Sequence, residues 1–556
     1  MKNQNVPFSA SAPTRKRYRV SKSERRYPMA DAVRAAYRAG EEDEAMEPRV
    51  LVDASGGPVG RIGDGDTCIF YDIRGEREVE LTEAFTDPDF SHFPVRPIRT
   101  RWATMIEYAP HLQVRVAFPP EVTLADTLSE AVSRAGLRQA KISESEKAIH
   151  VSFFLNGKRT EPFPGEDRLV IESPRDVANY DERPEMSAAE VADAAIDVIR
   201  RGAHDFIFVN FANVDVVGHI ENKPAVLKAV HAVDAAAGRV LGAALQAGVT
   251  ALVTADHGTV EKWYYPEGTV DTGHTDSPVP LVLVDAAVDG RTGGVLRDGG
   301  ALADVAPTVL ALLGIEKPAA MTGRSLLAAD LRPRGRRRVL VILLDGWGIG
   351  EESDRNLIHL AETPTADRLM KRFPHTQLAA SGPAVGMPAR TVGNSECGHL
   401  HIGAGRVVYS DRLRIEKAIE DGSFRRNDAL RWAMDGAKKG GTRLHLVGII
   451  SFYSSHGSVE HLLELLRMAH EVGVPEVYVH GMLGRRGERP ESGAVYTEMV
   501  EKECETLGTG RFATIIGRFW SLDREGNWDR IEKTYRALVE GAGRPVAAPQ
   551  HPSKSA

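Results

Sequence analysis

Hydrophobic runs of four to seven residues recur along this chain, separated by longer stretches with the 3.6-residue spacing of amphipathic helices. Short runs at 49–52 and 66–71 read as strands, after a helical stretch at 29–45. A β-like segment at 113–118 precedes a helix at 124–135, and 151–154 reads as a further strand. From 176 to 260 the alternation is regular: helix 187–201, strand 205–210, helix 224–247, strand 251–254. A strand at 280–284 and a helix at 301–313 follow. Strand 339–344, helix 363–371 and strands 444–450, 477–480 and 511–516 carry the pattern on to Trp528. Strands separated by helices predict an α/β fold built on mainly parallel, doubly wound sheets with helices on both faces.

Composition changes this picture little. The 556 residues are long enough for two or more domains, and a net charge of −7 gives no general reason to expect nucleic acid or membrane as a partner. No apolar run is long enough to span a bilayer. Three scattered cysteines, Cys68, Cys397 and Cys504, fit a reducing, cytoplasmic setting rather than a disulfide framework. Residues 1–27 and 546–556 read as disordered tails, and the Arg-rich stretch 332–338 as a solvated linker.

Candidate chemistry gathers around Gly393-Asn-Ser395-Glu-Cys-Gly-His399, where Ser395 stands in a stretch too glycine-rich to read as a helix interior. No Gly-x-Ser-x-Gly elbow is present, so a serine-hydrolase reading is weak. A serine hydroxyl needs a base or a metal to become a nucleophile. Strand ends elsewhere supply Asp215 with His219, Asp256 with His257, and Asp345, while His274 lies in a loop. Each alone reads equally well as a helix cap or a structural histidine. Together, three Asp, three His and one Ser would furnish two mixed nitrogen–oxygen sites, better suited to Mn²⁺ or Zn²⁺ than to Ca²⁺.

Several segments carry a resemblance to a known family. They are Leu343-Leu-Asp-Gly-Trp-Gly348, Gly393-Asn-Ser-Glu-Cys-Gly-His-Leu400, Ile402-Gly-Ala-Gly-Arg406 and Gly517-Arg-Phe-Trp-Ser-Leu-Asp-Arg524. Phe163-Pro-Gly-Glu-Asp167, Pro184-Glu-Met-Ser187, Thr254-Ala-Asp-His-Gly258 and Met321-Thr-Gly-Arg-Ser325 join them. The chain resembles the cofactor-independent (2,3-bisphosphoglycerate-independent) phosphoglycerate mutases of the alkaline phosphatase superfamily, with the order of the segments circularly permuted.

The resemblance implies a phosphatase-like metal domain from 122–331 and 339–410, and a smaller α/β transferase domain from 28–121 and 411–545. It implies two Mn²⁺ ions, with Zn²⁺, Co²⁺ or Mg²⁺ as substitutes. One would be held by Asp215, His219 and His274, the other by Asp345, Ser395, Asp256 and His257. Ser395 would carry the phosphoryl group as a phosphoserine between the 3- and 2-positions of glycerate. Arg74, Arg77 and Lys147 would clamp the phosphate, with Arg486, Arg518 and Arg524 binding substrate and His456 near the reacting oxygens. A small phosphorylated molecule would be the only partner, and the protein a monomer.

The chain also departs from the family pattern. Ser451-Phe-Tyr-Ser-Ser-His456-Gly-Ser458 and Gly484-Arg-Arg486-Gly487 replace segments that recognise the acceptor, and a carboxylate beside Arg486 is absent. Pro388-Ala-Arg-Thr391 departs as well. A phosphorylated or phosphonate hydroxy acid other than phosphoglycerate, or plain phosphate hydrolysis, therefore stays open beside the mutase reading.

Overall fold

The strand Val339–Leu344 is apolar at all six positions and buried at every one. Such an unbroken run belongs to a parallel strand covered on both faces, where alternation has no solvent side to serve. In the computed structural model it is the centre of an eight-stranded sheet, flanked in parallel by Thr250–Thr254 and Phe206–Phe211. Gln139–Glu144 and Glu166–Ile171 extend the parallel set on one side. On the other, Val279–Val284 runs antiparallel, followed by His375–Ala379 and the two-residue Gly300–Ala301.

The structure describes residues 27–120, 123–265, 267–291, 293–328, 337–452, 456–484 and 491–548. Arg486, Gly487, Ser454, Ser455, most of the 332–338 linker and nearly all of both tails lie outside them. The described residues fall into two units, one from Pro119 to Asp421, the other made of the chain up to Phe118 together with the chain from Gly422. The sheet just described belongs to the central unit. Helices such as Ala188–Arg201 and Lys223–Gln246 cover it, the latter started by Asn222, whose side chain accepts from the Ala225 amide.

The two-ended unit has its own eight-stranded sheet. Six strands run parallel in the order Arg511–Gly517, Val477–Leu483, Leu444–Ile449, Thr67–Phe70, Arg101–Ile106, Arg115–Phe118. Arg49–Val52 joins antiparallel to Arg511–Gly517, and Arg544–Ala547 pairs in parallel with Arg49–Val52. Residues 546 and 547 are thus an edge strand rather than the start of a tail. Backbone pairing orders them, which their Pro- and Ala-rich composition does not reveal.

The α/β architecture predicted from the strand–helix alternation is present in both units. Three local expectations are corrected. Residues 151–154 are no strand: His150–Phe154 forms a π-helical turn following the short turn that carries Lys147. The helix expected over 29–45 ends at Arg38. The glycine-rich serine segment is the helix Ser395–Ala404, capped by Asn394, whose side chain accepts from the Cys397 amide. Its glycines serve close packing rather than a loop. A Cβ at Gly398 would stand 2.6 Å from the Asp256 Cβ, and one at Gly403 would stand 1.9 Å from the Leu155 carbonyl oxygen.

Candidate active site

In an open parallel sheet, side chains delivered just past the carboxyl ends of the strands share one crevice. Four neighbouring strands of the central unit do this. Thr250–Thr254 leads to Asp256 and His257, Val339–Leu344 to Asp345, Phe206–Phe211 to Asp215, and Gln139–Glu144 to Lys147. Ser395 enters the same place from the N-terminus of its helix.

The contacts are close. The Lys147 ammonium donates to Asp215 Oδ2 at 2.6 Å, Asp345 Oδ1 at 2.7 Å and Ser395 Oγ at 2.6 Å. Ser395 Oγ lies 3.0 Å from His257 Nε2 and 3.3 Å from Asp345 Oδ1. His257 Nε2 is in turn 3.7 Å from Asp215 Oδ1, 3.6 Å from Asp256 Oδ2 and 3.7 Å from Asp345 Oδ1. The i, i+4 spacing of Asp215 and His219 is realised on the helix Asn213–Gly218, with Asp215 Oδ1 3.3 Å from His219 Nε2. His274 Nε2 closes a triangle, 3.1 Å from each.

Tautomers follow from the hydrogen bonds. His219 Nδ1 faces the Thr272 carbonyl at 2.7 Å, His274 Nδ1 the Gly393 carbonyl at 3.0 Å, and His257 Nδ1 the Gly258 carbonyl at 3.2 Å. A carbonyl only accepts, so each Nδ1 carries a hydrogen, and a ring in its neutral form presents an Nε2 lone pair. This is how a ligating imidazole is oriented by its outer partner. Lone pairs of His219 and His274 converging with a carboxylate oxygen repel one another unless a cation lies among them, so the donor set fits a divalent metal. Two groups meet the spacing a metal needs: Asp215, His257 and His274, and Asp256, His257 and Asp345.

Burial would raise the Asp215 carboxyl, yet Lys147, His257, His219 and His274 hold it well below the ordinary range. Asp256 is likewise pulled down, against its burial, by His257, His399 and Lys147. Asp345 goes the other way, raised by burial and by Asp256, with Lys147 opposing.

Two contributors were not singled out by sequence reasoning. Asn210 donates from Nδ2 to Asp345 Oδ2 at 2.7 Å, and His399 places Nδ1 3.2 Å from Asp256 Oδ2 and 2.8 Å from the Ser395 carbonyl. Asn210 stands one residue before the end of Phe206–Phe211, and an amide there carries no signal by residue type. His399 stands four residues after Ser395, on the same helix face.

The other unit gathers a second set at the carboxyl edge of its own sheet. Arg74 and Arg77 flank a short turn, Gly75–Arg77, following Thr67–Phe70. Arg77 donates from Nη1 to the Leu522 carbonyl at 3.0 Å, and Arg524 pairs with Glu76. Arg518, immediately after Arg511–Gly517, is buried with Nε 3.8 Å from Glu44 Oε1. His456 Nδ1 lies 2.8 Å from Glu78 Oε1. Lys147, expected to clamp the phosphate with Arg74 and Arg77, stands among the aspartates of the central unit.

Comparison with known proteins finds two family matches along the chain. Residues 52–317 match the Metalloenzyme superfamily, and residues 415–554 match the family described as BPG-independent PGAM N-terminus. The chain is similar over about half its length to 2,3-bisphosphoglycerate-independent phosphoglycerate mutases. The 2,3-bisphosphoglycerate-independent phosphoglycerate mutase of Syntrophotalea carbinolica is 47% identical over 300 residues, which is 54% of this chain and 57% of that protein. The enzyme of the same name from Chloroflexus aggregans is 46% identical over 54% of this chain and 59% of its own. The matched region thus spans little more than half the length of these curated relatives. A crystal structure of Leishmania mexicana phosphoglycerate mutase at low cobalt concentration is 31% identical, covering 50% of this chain and 53% of that one, with a TM-score of 0.36. Among the described residues, no helix is long and apolar enough to cross a membrane.

Proposed function

We propose that this protein is a metal-dependent isomerase that interconverts 3-phosphoglycerate and 2-phosphoglycerate through phospho-Ser395. The observation carrying the reading is the Ser395 hydroxyl within hydrogen-bond reach of Lys147, His257 and Asp345 in a pocket of carboxylates and imidazoles. Asp215, His219 and His274 would hold one divalent cation, with Asp256, His257 and Asp345 beside Ser395 holding a second. Mn²⁺ suits this mixture, and Zn²⁺, Co²⁺ or Mg²⁺ are alternatives. Bound there, the cations would supply positive charge to the transferring phosphoryl oxygens.

The residues themselves account for the rest. Positive charge beside Ser395, from Lys147 and a held cation, would favour its alkoxide, the proton passing to solvent when the site is loaded, so that Oγ attacks phosphorus and the alkoxide returns at the end of the cycle. The bond from phosphorus to the glycerate oxygen breaks as that oxygen gains a proton. Lys147 keeps Oγ placed and balances the buried aspartates. Attack by the other glycerate hydroxyl on phosphoserine then forms the isomer and restores Ser395. Arg74, Arg77, Arg518 and Arg524, with Arg486, would bind the substrate anion by paired N–H donors.

The protein is read as cytoplasmic, and the segment order as a circular permutation of the family order. Two observations support it. The match described as an N-terminus follows the metalloenzyme match in this chain, and one unit is assembled from both chain ends. Protein loaded with Mn²⁺ and given 3-phosphoglycerate should produce 2-phosphoglycerate in a phosphorus NMR assay. No interconversion would overturn the reading. The altered segments at 452–455 and 484–487 favour one second reading, transfer on a related phosphorylated or phosphonate hydroxy acid, which the same assay tests with that compound.

A further inference from the structure

The sequence lacks the carboxylate expected beside Arg486, and a different one, Glu78, lies at the carboxyl edge of the sheet of the two-ended unit. Glu78 is wholly buried just past the Gly75–Arg77 turn, and its two oxygens have distinct partners. Oε2 accepts the Arg77 backbone N–H at 3.1 Å. Oε1 meets His456 Nδ1 at 2.8 Å. The chain also ties these segments together through backbone, since the Ile73 amide donates to the His456 carbonyl at 2.6 Å. A second buried carboxyl, Asp72, accepts the Ile449 amide at 2.8 Å.

The charged surroundings decide the protonation state. Burial raises Glu78 to about 8, against the pull of the Arg77 amide, Arg518 and Arg74. Asp72 is raised well above the ordinary range by burial and by Glu78. His456 is lowered to about 3 by burial and by Arg518, Arg74 and Arg77, with Glu76 opposing. At neutral pH the contact therefore joins a neutral carboxyl to a neutral imidazole rather than an ion pair. A carboxyl hydrogen on Oε1 donated to Nδ1 puts the ring hydrogen of His456 on Nε2, the arrangement a relay through this contact requires.

We propose that Glu78 is the positioning residue and proton store of His456, making the pair a two-step relay for the glycerate hydroxyls. This rests on the mutase reading above. In the first half-reaction Nε2–H gives its proton to the departing glycerate oxygen while Glu78 Oε1–H passes its own to Nδ1. Glu78 is left as a carboxylate and the imidazole stays neutral. In the second, the attacking hydroxyl returns a proton to Nε2 and Nδ1 returns one to Glu78. One proton leaves and one comes back, so an isomerase needs no outside acid or base for this part of the cycle.

Glu78→Gln keeps the shape but has no proton to lend. It is expected to lower kcat by about 100-fold, within the usual range for general acid–base groups, while KM changes little. The native enzyme should lose activity above pH about 8 as Glu78 ionises, and the Gln variant should lack that limb. Glu78→Asp should recover part of the rate. A Gln variant with native kcat and a native pH profile overturns the relay. Nitrogen-15 NMR of His456 gives a reading that needs no turnover: the Nε2–H tautomer is expected in the native protein, and the Nδ1–H tautomer overturns the proposal. Native protein that shows the expected tautomer but no interconversion would sink the mutase reading and leave the Glu78–His456 pairing standing.

Discussion

Both units place their chemistry at the carboxyl ends of parallel strands, and both bury carboxyl groups there, with opposite electrostatic results. In the central unit, Lys147 stands within 2.7 Å of Asp215 and Asp345; Asp215 and Asp256 are held down despite burial, while Asp345, crowded by Asp256, is raised. In the two-ended unit, Asp72 and Glu78 lie beside each other, and both are pushed toward the neutral form. The backbone design is shared. Burial penalises charge in both places; cationic groups outweigh it at Asp215 and Asp256, whereas a neighbouring carboxyl adds to it at Asp345 and in the Asp72–Glu78 pair. One edge is thereby prepared for cations and the other for anions and proton exchange.

The sharpest way to break this comparison is Ser395→Ala. Interconversion should fall by about 10,000-fold or more, the scale seen when a nucleophile is removed, and no phosphorylated protein should be detected by intact mass. An equal loss from substitutions confined to the two-ended unit, with phosphoserine absent in both, would blur the division. Removal of metal should come next. Dialysis against a chelator should abolish activity and lower only the melting transition of the central unit, by about 2.7 kcal/mol if the native protein is held at 100-fold over its metal Kd. Calorimetry that shows both transitions moving together would contradict a site built wholly in one unit.

Leu343→Ala tests the platform on which the first edge stands. Leu343 is fully buried on the central strand, and the change should cost about 2–5 kcal/mol of stability, read by denaturant unfolding. Arg518→Lys should raise KM by about 10-fold with kcat less affected, because a point charge replaces a planar fork. Steady-state kinetics separates the two.

The smallest effect expected is on acid stability. Asp66, which precedes Thr67–Phe70, and His445, His480 and Thr514 on three neighbouring strands form a buried chain in the two-ended unit. Its contacts are 3.1 Å from Asp66 to His445, 2.9 Å between the histidines and 2.9 Å from His480 to Thr514. Burial lowers both histidines, against Asp66. A histidine depressed in the folded state leaves the unfolded chain to bind the proton first, so stability is full above about pH 6.5 and declines as pH falls below it. The transition of the two-ended unit should move down between about pH 7 and pH 5, and an unchanged melting temperature would contradict this.

Much of the site could be read from the chain because strand ends announce themselves. An apolar run followed by Asp256-His257 or by Asp345 marks the carboxyl edge of a parallel sheet, and the spacing of Asp215 and His219 marks one helical turn. Asn210, one residue before the end of Phe206–Phe211, stands at the same sheet edge, but an amide there does not by residue type point to this chemistry. The serine segment was misread for a physical reason. Glycine argues against a helix only when its small size is not required, and here Asp256 and Leu155 approach so closely that nothing larger fits.

The sequence by itself determined the alternation of strands and helices, the inventory of Asp, His and Ser at strand ends, and the departure from family pattern around Gly484. These are local properties, fixed by periodicity and residue type. Tertiary structure alone decided that Lys147 sits among the aspartates, that residues 546–547 form an edge strand, and that Glu78 meets His456. Each depends on chain segments far apart in sequence, and hydrogen-bond partners and burial, which set protonation, exist only once those segments are packed together.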